Sequence, residues 1–257
     1  MDQSARREYL IRELLKENRK YQHLQIPEDI NEQRQLLRSL MNVRYPAPIS
    51  DAFENIQNDY LAELNAGRGF VSTDAMTEFQ PDIFLWQGDI TRIKGGAIVN
   101  AANSGMTGCY RPCHNCIDNC IHTYAGIQLR NYCAELMNQQ GYEEPTGRAK
   151  ITPAFNLPCD YVIHTVGPIV EGPLTSRHEE QLRSCYRSCL QLAEENGVGS
   201  IAFCCISTGV FMFPNHRAAE IAVETVKEYK NTAASRIKII YNVFKDIDLD
   251  IYRELLS

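Results

Sequence analysis

The sequence predicts an α/β fold, a mainly parallel sheet covered by helices on both faces, preceded by a helical extension. Two observations carry this prediction. From about residue 82, short apolar runs of strand length alternate with longer amphipathic runs, the order expected of βαβ units. Over residues 1–66, by contrast, leucines recur at helical spacing and no strand-like run intervenes.

The elements follow in chain order. Leu10, Leu14 and Leu15 mark a first helix, and Asn31–Val43 places Leu36, Leu37, Leu40 and Met41 on one side of a second. The run Tyr45-Pro-Ala-Pro ends it, because proline and the residue before it resist helix. Ser50 is the N-cap of a third helix reaching about Asn65. Residues 67–81 read as a linker, which divides the chain into an extension (1–66), a linker (67–81) and an α/β domain (82–257). In that domain Ile83–Trp86, Ala97–Asn100, Tyr161–Val166, Ser200–Ile206 and Arg236–Phe244 read as strands. Ile117–Gln140, stopped by Gly141, reads as a helix, as do Glu179–Asn196, His216–Tyr229 and Leu249–Leu256.

Composition narrows the function classes. With 44% hydrophobic and 23% charged residues, the 257-residue chain can build a sizeable core. A net charge of −6 argues against a broad nucleic-acid surface, which needs surplus Lys and Arg. Charged residues continue through the N-terminal segment, so no signal peptide is expected. No apolar run approaches the ~20 residues that span a bilayer. The expectation is a soluble, cytoplasmic protein without a membrane partner. In a reducing compartment its ten cysteines are free thiols, metal ligands or both. Cys133, Cys159, Cys185, Cys189, Cys204 and Cys205 lie in apolar contexts and read as core, while the other four crowd into Cys109–Cys120.

Ligands of such sheets bind beyond the carboxyl ends of the strands. Three loops there carry unusual residues. Asp89, after the first strand, could accept a hydrogen bond from an exocyclic amine, or simply cap a turn. Asn100 and Asn103 could bond ribose hydroxyls, or be turn-forming residues. The segment Ser207-Thr208-Gly209-Val210-Phe211 could cradle a diphosphate on backbone N–H groups before a helix, or be a plain strand–helix turn. A sharper signal is Gly108-Cys109-Tyr110-Arg111-Pro112-Cys113-His114-Asn115-Cys116, where four Cys and His residues fall within eight positions. A tight loop could turn three of them on one ion and leave a position open, as in catalytic zinc sites. A closed four-ligand site including Cys113, or a cluster of free thiols, are the alternatives. His122 and His164 read as buried structural histidines, His122 with a hydrogen bond.

Five ordered blocks make the pattern specific: Gly-Asp-Ile (88–90), Val-Asn-Ala-Ala-Asn (99–103), Thr-Gly-Arg-Ala-Lys-Ile-Thr (146–152), Val-Ile-His-Thr-Val-Gly-Pro (162–168) and Ile-Ser-Thr-Gly-Val-Phe (206–211). Over about 82–256 the chain resembles the macrodomain family, and within it the MacroD-type hydrolases. With its helical extension and Cys/His loop it is similar to the zinc-dependent macrodomains of microbes, a subgroup that often accompanies a sirtuin modifying a lipoyl-carrier protein. The resemblance implies a three-layer α/β/α sandwich with a mixed, mainly parallel sheet. It implies ADP-ribose as ligand and mono-ADP-ribosylated protein as substrate. Asp89 would then bind the adenine amine with the Ile90 backbone beside it, and Phe244 would stack near the adenine. Ser207, Thr208, Gly209, Val210 and Phe211 would wrap the diphosphate and distal ribose, and Asn103 would hold that ribose. Cys109, His114 and Cys116 would hold zinc, with Cys113 spare. Asp118 matches the catalytic aspartate of the MacroD-type enzymes, but Cys116-Ile117-Asp118-Asn119-Cys120-Ile121-His122 stands where those enzymes carry a glycine run before Val-Asp-x-x-Ile-His. That departure shifts part of the expected work from the aspartate and its water to the metal. The implied activity is cleavage at the anomeric carbon of the distal ribose. A non-catalytic ADP-ribose reader with a structural zinc, and a zinc-stabilised interaction module, are the competing classes.

Overall fold

A computed structural model describes residues 1–233 and 235–257. The extension holds α1 (Gln3–Glu17), α2 (Ile30–Val43) and α3 (Asp51–Gly67). The rest runs β1 (Thr77–Gln80), β2 (Ile83–Gln87), β3 (Ala97–Ala102), α4 (Ile117–Ala125), α5 (Ile127–Gln140), β4 (Ala149–Pro153), β5 (Tyr161–Val166), α6 (Ser176–Glu195), β6 (Ser200–Phe203), α7 (Asn215–Ala233), β7 (Lys238–Val243) and α8 (Asp246–Leu256). The seven strands form one sheet in the order β1-β2-β7-β6-β3-β5-β4. Its interior pairs are parallel, and its two edge strands, β1 and β4, are antiparallel to their neighbours. Helices α6, α7 and α8 pack together on one face, and α4 and α5 lie on the other with the extension against them. No described helix is long and apolar enough to cross a membrane.

Local chemistry explains most of these bounds. Asp2, Asp29 and Ser50 cap α1, α2 and α3 with side-chain oxygens. Gly141 closes α5 in the left-handed conformation (φ +78°). The sequence differs from the structure in four places. The stretch 67–81, read as a linker, carries a 3₁₀ turn (Thr73–Ala75) and the edge strand β1. Thr77 and Glu78 are exposed, so this strand shows no apolar run to read. The edge strand β4 overlaps the block 146–152 and is similarly half-covered. The helix expected over Ile117–Gln140 is broken at Gly126 (φ +96°), where a Cβ would lie 2.6 Å from Gln128 Oε1 and 2.9 Å from Gln57 Nε2. In addition, β6 stops at Phe203, and the buried residues Cys204 and Ile206 belong to the following loop.

Two apolar clusters result. The larger fills the space between sheet and helices, from Ile83 to Leu256. The smaller joins Leu10, Leu14, Leu37, Leu40, Phe53 and Leu61 of the extension, with Ile127 as its member from α5. The seam between them is largely polar. Gln57 donates to Gln128 Oε1 (2.6 Å) and accepts from the Ile127 N–H (3.0 Å). Asn65 donates to the carbonyls of Tyr124 (3.2 Å) and Asn156 (2.7 Å). Arg130, 4% exposed, donates to the carbonyls of Met41 (3.1 Å), Asn42 (2.7 Å) and Arg44 (2.7 Å). Buried groups of this kind hold their place only while paired, so the seam fixes the extension in one orientation.

Candidate active site

The parallel strands deliver their carboxyl ends, and the loops beyond them, to one rim of the sheet. At the end of β3, Asn100 is fully buried and donates to Asp118 Oδ1 at 2.8 Å. Asn103, exposed at the rim, donates to Asp118 Oδ2 at 3.3 Å and to the Gly108 carbonyl at 3.1 Å. Both carboxylate oxygens of Asp118 are therefore held by amides from one strand end. Asp118 sits in the first turn of α4, where the helix dipole favours negative charge. Burial nevertheless pushes its pKa up to about 6, against the lowering pull of the Asn100 bond, Arg130 and Asn103. Such a carboxyl is poised to exchange a proton near neutrality.

The Cys/His loop lies immediately before that helix. Cys116 is its N-cap, with Sγ accepting from the Asn119 N–H at 3.5 Å. The ligand atoms of Cys109, His114 and Cys116 all lie within 4.8 Å of one another, with Cys109 Sγ 3.6 Å from His114 Nδ1. Cys113 is turned away: its Sγ is 3.2 Å from Ser39 Oγ, and its N–H donates to Asn42 Oδ1 at 3.0 Å. Two thiols and an imidazole suit zinc and leave a coordination position open. Burial, with Cys109 alongside, pushes the Cys116 thiol up to about 12, which a bound cation would offset. Within the loop, the Arg130 guanidinium lies 4.4 Å from the centre of the Tyr110 ring, which also packs against Tyr45 (5.2 Å between ring centres). His122 is buried as expected but without the expected hydrogen bond; its Nε2 lies 3.6 Å from Asp118 Oδ1. Burial, Arg130 and His164 hold it neutral. A second buried group, His122, Cys133 and His164, is as compact, but His164 already bonds Asn100 (3.1 Å) and Thr152 (3.0 Å).

The loop after β6 is built differently. Ser207 is buried at φ +65°, and Met212 stands at φ +54°. Gly167, after β5, packs so closely that a Cβ there would lie 2.1 Å from Ser207 Oγ. The Val170 N–H donates to the Phe211 carbonyl (2.9 Å), tying the two loops together. Thr208 turns its hydroxyl to the Cys205 carbonyl (3.0 Å), so its side chain serves the turn. Among the described residues, the backbone N–H groups of Gly209, Val210 and Phe211 have no hydrogen-bond partner, and Gly209 and Val210 are exposed. This strand–loop–helix arrangement offers unpaired donors to an anion.

Asp89 and Phe244 stand at the ends of the neighbouring strands β2 and β7, joined by the Gly88 N–H to Val243 carbonyl bond (2.9 Å). Phe244 is 76% exposed and free to stack. Asp89 caps a 3₁₀ turn through the Thr91 N–H (3.0 Å) and pairs with Arg68, whose guanidinium lies 3.5 Å above the Tyr124 ring. Its turn-capping role is thus real, and part of its acceptor capacity is already used. Ile90 is buried beside it. Reading the sequence did not find Arg38, Asn42, Arg68, Asn119 or Arg130. Arg38, Asn42, Arg68 and Arg130 act on residues distant in sequence and fall in no motif, whereas Asn119 lies within the Cys116–His122 stretch but its partners show only in the fold.

These features match known proteins. The Macro domain family pattern covers residues 99–222. A protein-ADP-ribose hydrolase of Treponema medium is 56% identical over the whole of both chains. The chain belongs to the macrodomain family. A protein-ADP-ribose hydrolase of Staphylococcus aureus (strain MSSA476) is 46% identical over 98% of this macrodomain chain and 96% of that protein. The solved Trypanosoma brucei macrodomain in complex with ADP-ribose superposes with a TM-score of 0.67 at 28% identity, covering 86% of this chain and 95% of that one.

Proposed function

We propose that this macrodomain is a zinc-dependent hydrolase that removes mono-ADP-ribose from modified proteins by cleaving the bond at the distal-ribose anomeric carbon. One observation carries the reading: a buried carboxyl with a raised pKa, held by two asparagine amides, directly follows a compact Cys-His-Cys set. A protein that only binds ADP-ribose needs neither. The full-length relatives named protein-ADP-ribose hydrolase support the substrate class.

In this reading Phe244 stacks on the adenine and Asp89 accepts from its amine, with the Ile90 backbone adjacent. The Ser207–Phe211 loop receives the diphosphate on its unpaired N–H groups, helped by the N-terminus of α7. Asn103 orients the distal ribose, and Asn100 holds Asp118. Cys109, His114 and Cys116 would hold zinc, which would supply Lewis acidity to the reaction. Cleavage passes through an oxocarbenium-like state, as in other glycoside hydrolyses. Asp118 takes the proton of the attacking water, a role suited to a carboxyl that titrates near 6. The cytoplasmic setting rests on the charged N-terminal segment and the lack of a bilayer-length apolar run, while a sirtuin-type transferase as the opposing enzyme and a lipoyl-carrier protein as the modified partner rest on the subgroup resemblance alone.

The test is metal content measured beside turnover. Protein purified without chelator should hold about one zinc per chain. It should release ADP-ribose from a mono-ADP-ribosylated protein and lose that turnover in Cys116→Ala while still binding free ADP-ribose. Binding without turnover and without metal would leave a reader and defeat the proposal.

A further inference from the structure

We infer that Arg38, on α2 of the extension, is a positioning residue of the metal loop and that through it the extension sets the loop's affinity for zinc. The inference rests on the reading of Cys109, His114 and Cys116 as zinc ligands. It starts from how little the loop does to hold itself. Among the described residues, the sole backbone hydrogen bond within 109–116 joins the His114 N–H to the Arg111 carbonyl at 3.3 Å. Cys113 adopts φ +50°, a conformation that a non-glycine residue keeps only when its surroundings impose it.

Those surroundings come from α2. Arg38 Nη2 donates to the His114 carbonyl at 2.7 Å and to Asn119 Oδ1 at 3.0 Å. Asn119 is fully buried, and its amide nitrogen donates to the carbonyls of Cys109 (3.3 Å) and Arg111 (3.0 Å). One guanidinium nitrogen thus grips the backbone of one ligand directly and of a second through a single amide. Asn42, one helical turn along, accepts the Cys113 N–H and donates to Thr123 Oγ1 at 3.0 Å. Ser39 meets the Cys113 thiol at 3.2 Å, which keeps that fourth cysteine out of the ligand set. Leu37, Leu40 and Met41 meanwhile anchor the same helix in the extension's own apolar cluster. The hydrogen-bond acceptors of Arg38 lie in the loop and the first turn of α4, so removing the side chain acts there first.

The experiment compares the full-length protein with Arg38→Ala, with Arg38→Lys, and with Arg6→Ala as a control. Arg6 lies in the same extension, but among the described residues its side chain pairs only with Asp59 (3.2 Å) and Glu63 (2.9 Å). Zinc affinity is measured by competition with a chromogenic chelator, ligand geometry from the absorption of the cobalt-loaded protein, and ADP-ribose affinity by calorimetry. Arg38→Ala should bind zinc about 10- to 100-fold more weakly, the usual cost of losing a group that orients a ligand. Its cobalt spectrum should change, Arg38→Lys should recover part of the affinity, and Arg6→Ala should match the parent. ADP-ribose affinity should stay close to that of the parent in all of them. Should Arg38→Ala fail to fold, Arg38→Met removes every donor with less loss of volume. Unchanged zinc affinity in the loss variant would overturn the inference and leave the zinc reading standing. So would parallel losses of zinc affinity, ADP-ribose affinity and melting temperature. A parent protein that binds no zinc would overturn both.

Discussion

The two loops that flank the candidate ribose site are made rigid in opposite ways. The loop after β6 is shaped by its own backbone: left-handed residues at Ser207 and Met212, a tie to the Phe211 carbonyl, and Gly167 pressed against Ser207. The loop before α4 is shaped from outside, by side chains of α2 and α5 that reach the carbonyls of His114 and Cys109 and the N–H of Cys113. The first kind needs small residues at fixed positions and is carried by a short motif. The second needs a second body of protein, and its tolerance to change depends on residues 70 or more positions away. A diphosphate is met by N–H groups that any residue supplies. A metal is met by three particular side chains whose aim must be enforced.

The comparison can be broken most sharply at the metal loop. Cys116→Ala should abolish zinc binding and lower turnover on the order of 10³-fold, with ADP-ribose affinity changed little; equal losses in rate and affinity, measured side by side, would merge the two loops into one function. Asp118→Asn should retain zinc and lose about 10²-fold in rate, checked by single-turnover release of ADP-ribose. On the other loop, Gly167→Ala should destabilise the protein by about 1–3 kcal/mol, because its Cβ would overlap Ser207 Oγ; a melting temperature equal to the parent's would argue that the loops part easily. Gly209 has open space around its missing Cβ. Gly209→Val should leave stability alone and weaken ADP-ribose binding by about tenfold, or 1.4 kcal/mol, as read by calorimetry.

Acid separates the two sides more gently. The segment 207–213 has no ionisable side chain, whereas Asp118, His122 and His164 back the metal side. Burial lowers His164 to about 3, and burial with nearby Arg130 and His164 lowers His122. Both histidines stay neutral in the fold while the unfolded chain protonates near 6.5, so their contribution is complete above 6.5 and drains away as pH falls. Asp118, raised to about 6, takes a proton in the fold before the unfolded chain does, and works the other way between 6 and its ordinary 3.8. Two groups against one leave a net loss of stability as pH falls through that window. Urea unfolding of zinc-free protein at pH 7 and pH 5 should show the lower midpoint at pH 5. Equal midpoints would mean that the histidines are not held neutral.

Much of the rim was legible because it is local. Asn100, Asn103, Asp118 and the Ser207–Phe211 segment lie in contiguous blocks, and the Cys/His loop was conspicuous by density alone. The edge strands were not legible, because a strand covered on one side shows little apolar signal, and Thr77 and Glu78 show none. The break at Gly126 was hidden because the apolar pattern runs on through it; the glycine is required by Gln57, some 70 positions earlier. Arg38 and Arg130 fall in no motif, and nothing in the sequence marks them. Only the folded chain shows that their partners are backbone carbonyls of other segments.

The polar seam has a consequence for any attempt to shorten this protein. A chain begun at residue 67, keeping every motif of the macrodomain, would strip Arg130 of the carbonyls of Met41, Asn42 and Arg44. It would also leave Gln128 without Gln57, and Asn119 without Arg38. An ion and two amides would then lose the partners that hold their side chains in place and face solvent, beside an exposed Ile127. The sheet domain alone is therefore not a minimal version of the protein but a damaged one. Its first casualty would be α4, the helix whose opening turn carries Asp118.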